Sequence, residues 1–494
     1  MTAVKLQGPL MALRTIQRIA WAAFLIALPV TSFPFFPPAM GGEALVRPLS
    51  LYPLILLIFL VILPRLFNRP ISKNLLPLIP FVLVAIASSL LSLLRGIEPA
   101  LGISVSSRVL RGAITLFIGC TIYLAVSLLP ETIEDLHFSL RWILVGGAFS
   151  LLWGSMQAVY VLHFNPNWFS LLEKIQDYIS MRRLLPDRVS GLTYEPHWFS
   201  DQIILLILPW VLAAVLTRHS VFRWRWRWFT VELLLLVWAV LLLPFTFSRA
   251  GILNMVMVVF FSILFLRLRK RRKDSSSSVI SSPIAKLNLN PSIKRTLEIS
   301  VVTVLVILPI YIIGARNLFF ARIWEYWQRE DRTLSGYIQY LGFDARLTYS
   351  QAAFNTYLAY PLLGVGLGNY AFYFEEMLPN RLISEVPEAL RMITPEKGRD
   401  RLITSKNFYL RLLAETGIIG TVTFLAFVIA NLGSALFLRL SESKEWKYWG
   451  VAGLCGIFAF CLSAFTFDSF VIPNMWIVFG MITASMHVWV RSSQ

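Results

Sequence analysis

The chain is poor in charge and poorer still in acid. Charged residues fill 15% of its 494 positions, with 27 acidic against 45 basic side chains. A soluble domain of this size carries far more charge, so a soluble globular enzyme is excluded. Cysteine is nearly missing: Cys120, Cys455 and Cys461 all lie in apolar runs. They read as small core residues, and a disulfide scaffold or thiolate metal site is not expected. The five histidines form no Cys/His cluster with metal-ligand spacing, so the sequence points to no metal and no cofactor. The short alternating segments of a membrane β-barrel are also lacking.

What the chain has is long apolar runs. It is 57% hydrophobic with a mean hydropathy of +0.67. Many windows approach the roughly 20 apolar residues that cross a bilayer. The expected fold is an all-α polytopic membrane protein with about twelve transmembrane helices. They fall near 16–33, 49–67, 75–94, 110–129, 142–163, 201–217, 229–247, 251–268, 298–315, 416–438, 449–467 and 472–490. The first run lacks a small-residue cleavage site and reads as a retained anchor. Three regions follow: residues 1–315 with nine spans, an outer loop at 164–200 and a basic cytoplasmic loop at 268–297; a large periplasmic loop at 316–415; and three spans in 416–494. Short amphipathic helices are expected in the large loop.

The net charge of +18 sits largely beside spans. It therefore reads as topology, and nucleic-acid binding is not expected. The basic N-terminus, Arg65–Lys73, the run with Arg223, Arg225 and Arg227, the run Arg267–Lys273, and Arg491 all fall on one side if the chain alternates. The positive-inside rule makes that side cytoplasmic and puts both termini there. The alternating Arg/Trp run is an interfacial anchor to membrane lipids. The polar stretch KDSSSSVISSPIAKLNLNP reads as a linker.

Against this background LLLPFTFSRAGILNM is odd. It sets Ser248 and Arg249 between two apolar runs, with no acidic residue between Glu232 and Asp274. A buried guanidinium needs water, an anion or an acid. The same outer level collects Arg188, Glu195 and His197 in RVSGLTYEPHW, Arg346 in the large loop, and Lys406, Asn407, Arg411 and Glu415 in SKNFYLRLLAETGIIG. Converging arginines match the oxygens of a diphosphate, because guanidinium is planar and permanently charged. GVGLG, with Gly364, Gly366 and Gly368, is not a dinucleotide fingerprint, since no βαβ unit surrounds it. Its glycines suit a tight turn or close approach to a helix. Gly417 and Gly420 suit close helix packing, and Arg411 with Glu415 a helix-surface pair.

PLLGVGLGNY followed by SKNFYLRLLAETGIIG resembles the signature region of the O-antigen ligase and polymerase family, bacterial membrane glycosyltransferases of the C-type fold. SRAG and RVSGLTYEPHWFS resemble two further family motifs, in the same order. By motif the resemblance covers residues 185–440. It implies an undecaprenyl-diphosphate-linked glycan as donor, an acceptor hydroxyl on a lipid-linked glycan or lipopolysaccharide core, and reaction at the periplasmic face of the inner membrane without a nucleotide sugar or metal. On the matching positions Arg188 and Arg249 bind the diphosphate, Arg346 lines the cavity, and Ser248, Gly364, Gly366, Gly368, Asn407 and Glu415 support it. Many relatives have His-Asn where this chain has Lys406-Asn407. Lysine is a poor base unless desolvated, so Lys406 is read as a phosphate ligand as well as a catalytic candidate. Glu195 is the first candidate base and His197 the second. The competing expectation is a transporter of a small solute such as bicarbonate; ionisable residues gathered at one face weigh against it.

Overall fold

The computed structural model describes residues 3–37, 46–68, 73–226, 229–274, 322, 325–330, 332–378, 386–394 and 402–493. The expected span at 298–315 and most of the serine-rich stretch lie outside the described residues. The rest is overwhelmingly helical. In chain order the main helices are α1 (Ala3–Ala27), α2 (Leu51–Phe67), α3 (Lys73–Leu93), α4 (Val105–Leu128), α5 (Ile133–Leu162), α6 (Pro166–Ile179), α7 (Pro196–Thr217), α8 (Val231–Thr246) and α9 (Arg249–Asp274). They continue with α10 (Leu334–Tyr340), α11 (Asp344–Ala359), α12 (Pro387–Ile393), α13 (Phe408–Leu440), α14 (Lys444–Ser463) and α15 (Pro473–Ser492). Five of these, α3, α4, α5, α7 and α13, are long and apolar enough to cross a membrane, and α2, α8 and Arg249–Leu264 of α9 are shorter apolar helices. The expectation of twelve spans is thus met only in part.

Burial separates centre from rim. In the apolar window of α7 89% of residues are buried, against 39% in α3. α7 packs on α14 and α8, and α15 on α4. Leu83 and Leu90 on α3, Phe117 on α4 and Leu425 on α13 point outward and are exposed. In water such a belt would be a liability; against lipid it is the solvent-facing surface. Two stretches, Ile58–Ile62 and Ile203–Ile207, wind as π-helix. Each is followed by Leu-Pro, at Pro64 and Pro209. Proline lacks the N–H for the preceding turn, and a wider turn absorbs the missing bond.

The ends of the helices differ. At the lower end Arg65 pairs with Glu131 at 2.8 Å and Arg18 with Asp135 at 3.5 Å. There Arg225–Trp226 and Phe229–Thr230 pair as a minimal hairpin. The upper end carries the connections before α7, between α8 and α9, and around α10 to α12. α6 lies there, with Leu172 buried against Trp153 and Tyr160 of α5. α11 and α12 form a separate small core with Tyr370 and Phe374, seated on Ala414 of α13.

α13 is not one helix. Gly417 has φ 65° and ψ −167°, so the chain breaks between two helical halves. The expectation of close helix packing at Gly417 is corrected in kind: it packs closely, but against the Leu362–Leu363 backbone of the glycine loop, and at a positive φ that breaks the helix. The break frees carbonyls that must find donors. The glycine loop provides them: Val365 N–H donates to Ala414 O and Gly366 N–H to Glu415 O, both at 2.9 Å. In return Ile418 N–H donates to Pro361 O at 2.8 Å. At Gly364, φ 66°, a Cβ would stand 2.5 Å from the Glu415 carbonyl carbon and 2.6 Å from Ala414 O, so only hydrogen fits. Polar groups from α3 and α4 complete the dock. Ser89 Oγ accepts from Leu367 N–H at 3.1 Å, Arg95 donates to Gly364 O at 2.9 Å, and Arg108 donates to Gly368 O at 2.8 Å.

Candidate functional site

The upper-end site begins with the turn that holds Arg188. Gln157 of α5 accepts from Ser190 N–H at 2.9 Å and Gly191 N–H at 3.0 Å and donates to Gly191 O at 3.2 Å. Gly191, φ 55°, lies so close to the Phe199 ring that a Cβ would stand 2.5 Å from it. Val189 N–H donates to Phe245 O at 2.9 Å, which ties this turn to the end of α8. Arg188 itself lies 3.5 Å from Asp187. The chain then enters α7 with Glu195 as its N-cap residue and Pro196 in the first turn, where a missing N–H costs nothing.

Glu195, the first candidate base, is committed. Its carboxylate pairs with Arg182, whose guanidinium also lies over the Tyr194 ring at 5.1 Å. Burial lowers Arg182 from its ordinary value, Tyr194 counteracts this, and Arg188 adds to it. Two residues on, half-buried His197 feels the charges of Arg346, Lys406, Arg182 and Arg188. Four cations from three separate stretches of chain thus act electrostatically on one imidazole.

Lys406 is held in an unusual way. It has φ 51°, a region that costs a side-chain-bearing residue energy unless its surroundings enforce it. Asp468 enforces it by accepting from Lys406 N–H at 2.7 Å. The ammonium then donates to Glu388 Oε1 at 2.8 Å and sits 4.6 Å over the Tyr349 ring. Burial works to raise the Glu388 carboxyl, but the Lys406 hydrogen bond and charge, Tyr349 and Arg346 outweigh it and hold it below its ordinary value. Burial and the neighbouring Glu388 raise the Tyr349 hydroxyl, which stays protonated and donates to Glu388 at 3.0 Å.

Arg249 sits in a different subgroup. It donates to Leu341 O at 3.0 Å, lies 5.8 Å from the Phe343 ring and feels the charge of Arg322. It grips the segment just before α11, the helix that carries Arg346. Ser248 Oγ accepts from Gly251 N–H at 3.2 Å and so caps α9. α9 begins against α7: a Cβ on Gly251 would stand 2.5 Å from Ser200 Oγ.

The remaining supporting residues have structural partners. Asn407 Oδ1 caps α13 through Leu410 N–H at 3.2 Å. Glu415 is buried and accepts from Arg411 at 2.9 Å. That arginine also donates to Asp468 O, so the pair is an interior clasp and not a helix-surface contact. Gly364, Gly366 and Gly368 serve the dock at the helix break.

Sequence reasoning missed Asp201, Asp468 and Glu388. Asp201 is buried one turn after His197, lies near Ser463 and feels the charge of Arg346. It lines a pocket with Thr31, Trp198, Phe467, Asn474 and Met475. A carboxylate inside the apolar run after PHWFS was a visible signal. Asp468 and Glu388 left none, because each meets Lys406 across long sequence separations.

Residues 234–425 match the family model described as O-antigen ligase. A comparison with curated proteins finds no match.

Proposed function

Residues 234–425 match the O-antigen ligase family model, and on that premise we propose that the chain transfers a glycan from a polyprenyl-diphosphate-linked donor to an acceptor hydroxyl. The observation that carries this reading is that Arg182, Arg188, Arg346 and Lys406 all lie near enough to His197 for their charges to act on it. Cations converging on one point favour a multivalent anion there. A diphosphate supplies it, with planar guanidinium forks matched to its oxygens.

In the reaction the acceptor oxygen attacks the donor's anomeric carbon, the bond from that carbon to the diphosphate oxygen breaks, and the lipid diphosphate leaves. Negative charge grows on the leaving oxygen, where Arg188, Arg346 and Lys406 stabilise it. The acceptor proton goes to His197. We favour His197 over Glu195 as base because the Glu195 carboxylate is already paired with Arg182. The bound diphosphate also steadies the imidazolium that forms. Lys406, bridged to Glu388, binds phosphate and is not the base. The reading places the upper end on the periplasmic face of a bacterial inner membrane and both termini in the cytoplasm. The acceptor is another lipid-linked glycan or a lipopolysaccharide core. Charged clusters gathered at the helix ends favour this over a transport path through the bundle.

The test is reconstitution with an undecaprenyl-diphosphate-linked glycan, without nucleotide sugar. A ladder of longer lipid-linked glycans means polymerisation, and transfer only after a lipid A-core acceptor is added means ligation. No transfer under either condition, with the host's own substrates, removes the proposal.

A further inference from the structure

At the lower end, away from the cations that act on His197, three elements bring together side chains far apart in sequence. His137 lies near the start of α5, His219 follows the left-handed cap Arg218 of α7, and Glu445 lies in the first turn of α14. His137 Nε2 is 2.7 Å from Glu445 Oε1, and His219 Nε2 is 3.4 Å from Glu445 Oε2. All three ligand atoms lie within 4.8 Å of one another. Ligand atoms around a tetrahedral zinc ion stand about 3.3 Å apart, given bonds near 2 Å. The observed separations bracket that spacing.

A hydrogen-bonded ion pair accounts for His137 but not for His219. The His219 Nε2 atom is buried and makes no hydrogen bond among the described residues. A buried nitrogen in that state calls for a ligand. Its surroundings hold the ring in place: the Tyr448 ring lies 4.9 Å away. Trp449 Nε1 donates to Glu445 Oε1 at 3.0 Å, which fixes the carboxylate and leaves Oε2 facing His219. Such outer contacts orient metal ligands.

We propose that His137, His219 and Glu445 bind one divalent transition-metal cation of the zinc class, with water in the fourth position. Two imidazoles and one carboxylate suit such an ion, whereas calcium and magnesium demand more oxygen ligands. Binding costs the cluster the proton shared between His137 and Glu445, which passes to solvent. The ion ties α5, α7 and α14 together at the end of the bundle opposite the glycan-transfer site.

The experiment uses the full chain in detergent, stripped with chelator and titrated with zinc chloride, with zinc content and unfolding temperature followed together. The expected result is one zinc per chain beyond the binding of a His137→Gln/His219→Gln double variant, and a rise in unfolding temperature confined to the parent. His219→Gln alone should weaken binding at least about tenfold. X-ray absorption on the parent should show two imidazole nitrogens and carboxylate oxygen, a readout that stands if the variants fail to fold. Equal zinc binding by parent and folded double variant, or a sulfur-dominated spectrum, overturns the proposal.

Discussion

The two ends of the bundle both hold ion pairs, but their centres are opposite in sign. At the lower end carboxylates sit in the middle: Glu131 between Arg65 and Arg491, Glu445 between His137 and His219. At the upper end four cations act on His197, and three of them pair with the carboxylates Asp187, Glu195 and Glu388. A cluster with acid at its heart attracts a cation, and one with base at its heart attracts an anion. The same residue types, arranged inside out, underlie the two proposals: a metal at one end and a diphosphate at the other.

The comparison breaks most sharply at His197. His197→Gln should slow glycan transfer by about 10²–10⁴ while donor binding persists, as loss of a general base does. Unchanged turnover in a folded variant would return the base role to Glu195. Next come the cations that act on it: Arg346→Ala should lower the transfer rate by about 10²–10³, comparable to removing one transition-state donor. Detergent-purified protein assayed beside the parent, with folding checked by gel filtration, reads both effects.

A smaller effect on rate but a clear one on stability is expected at the dock. Gly364→Ala forces a Cβ against the Glu415 and Ala414 backbone at positive φ. It should cost on the order of 1–3 kcal/mol and lower the unfolding temperature. A variant as stable as the parent would mean that the loop does not need its contact with the helix break.

The smallest effect concerns Glu388. Its carboxyl is held below its ordinary value, so whatever the Lys406 pair contributes is present above the ordinary carboxylate range. It is lost as pH falls through the lowered value. Because Glu388 is half exposed, Glu388→Gln should lower the unfolding temperature only slightly, and the difference should vanish in acid. Unfolding curves of parent and variant across the acid range test this; a gap that widens with acid refutes it.

Much of the helical framework was legible in the sequence because lipid imposes a simple rule. Backbone polar groups must be satisfied within the segment, so long apolar runs become helices and their ends carry charge. Serines 88, 89 and 92 on α3, which meet the helix break and the glycine loop, did not show in the sequence. Arg188, Arg249, Arg346 and Lys406 were expected to gather at one outer level. Which of them act on His197, and that Arg249 instead grips the segment before α11, did not show, because distant stretches supply them and charges of one sign carry no pairing signal in a linear chain.

The sequence alone determined the membrane class and the motifs that resemble the O-antigen ligase family. These follow from hydropathy and local residue order, which are one-dimensional properties. Tertiary structure decided the rest. It bound Glu195 to Arg182, broke α13 at Gly417 against the glycine loop, pinned Lys406 at positive φ through Asp468, and joined His137, His219 and Glu445. Each depends on distances between residues far apart along the chain, and such distances exist only after the helices have packed.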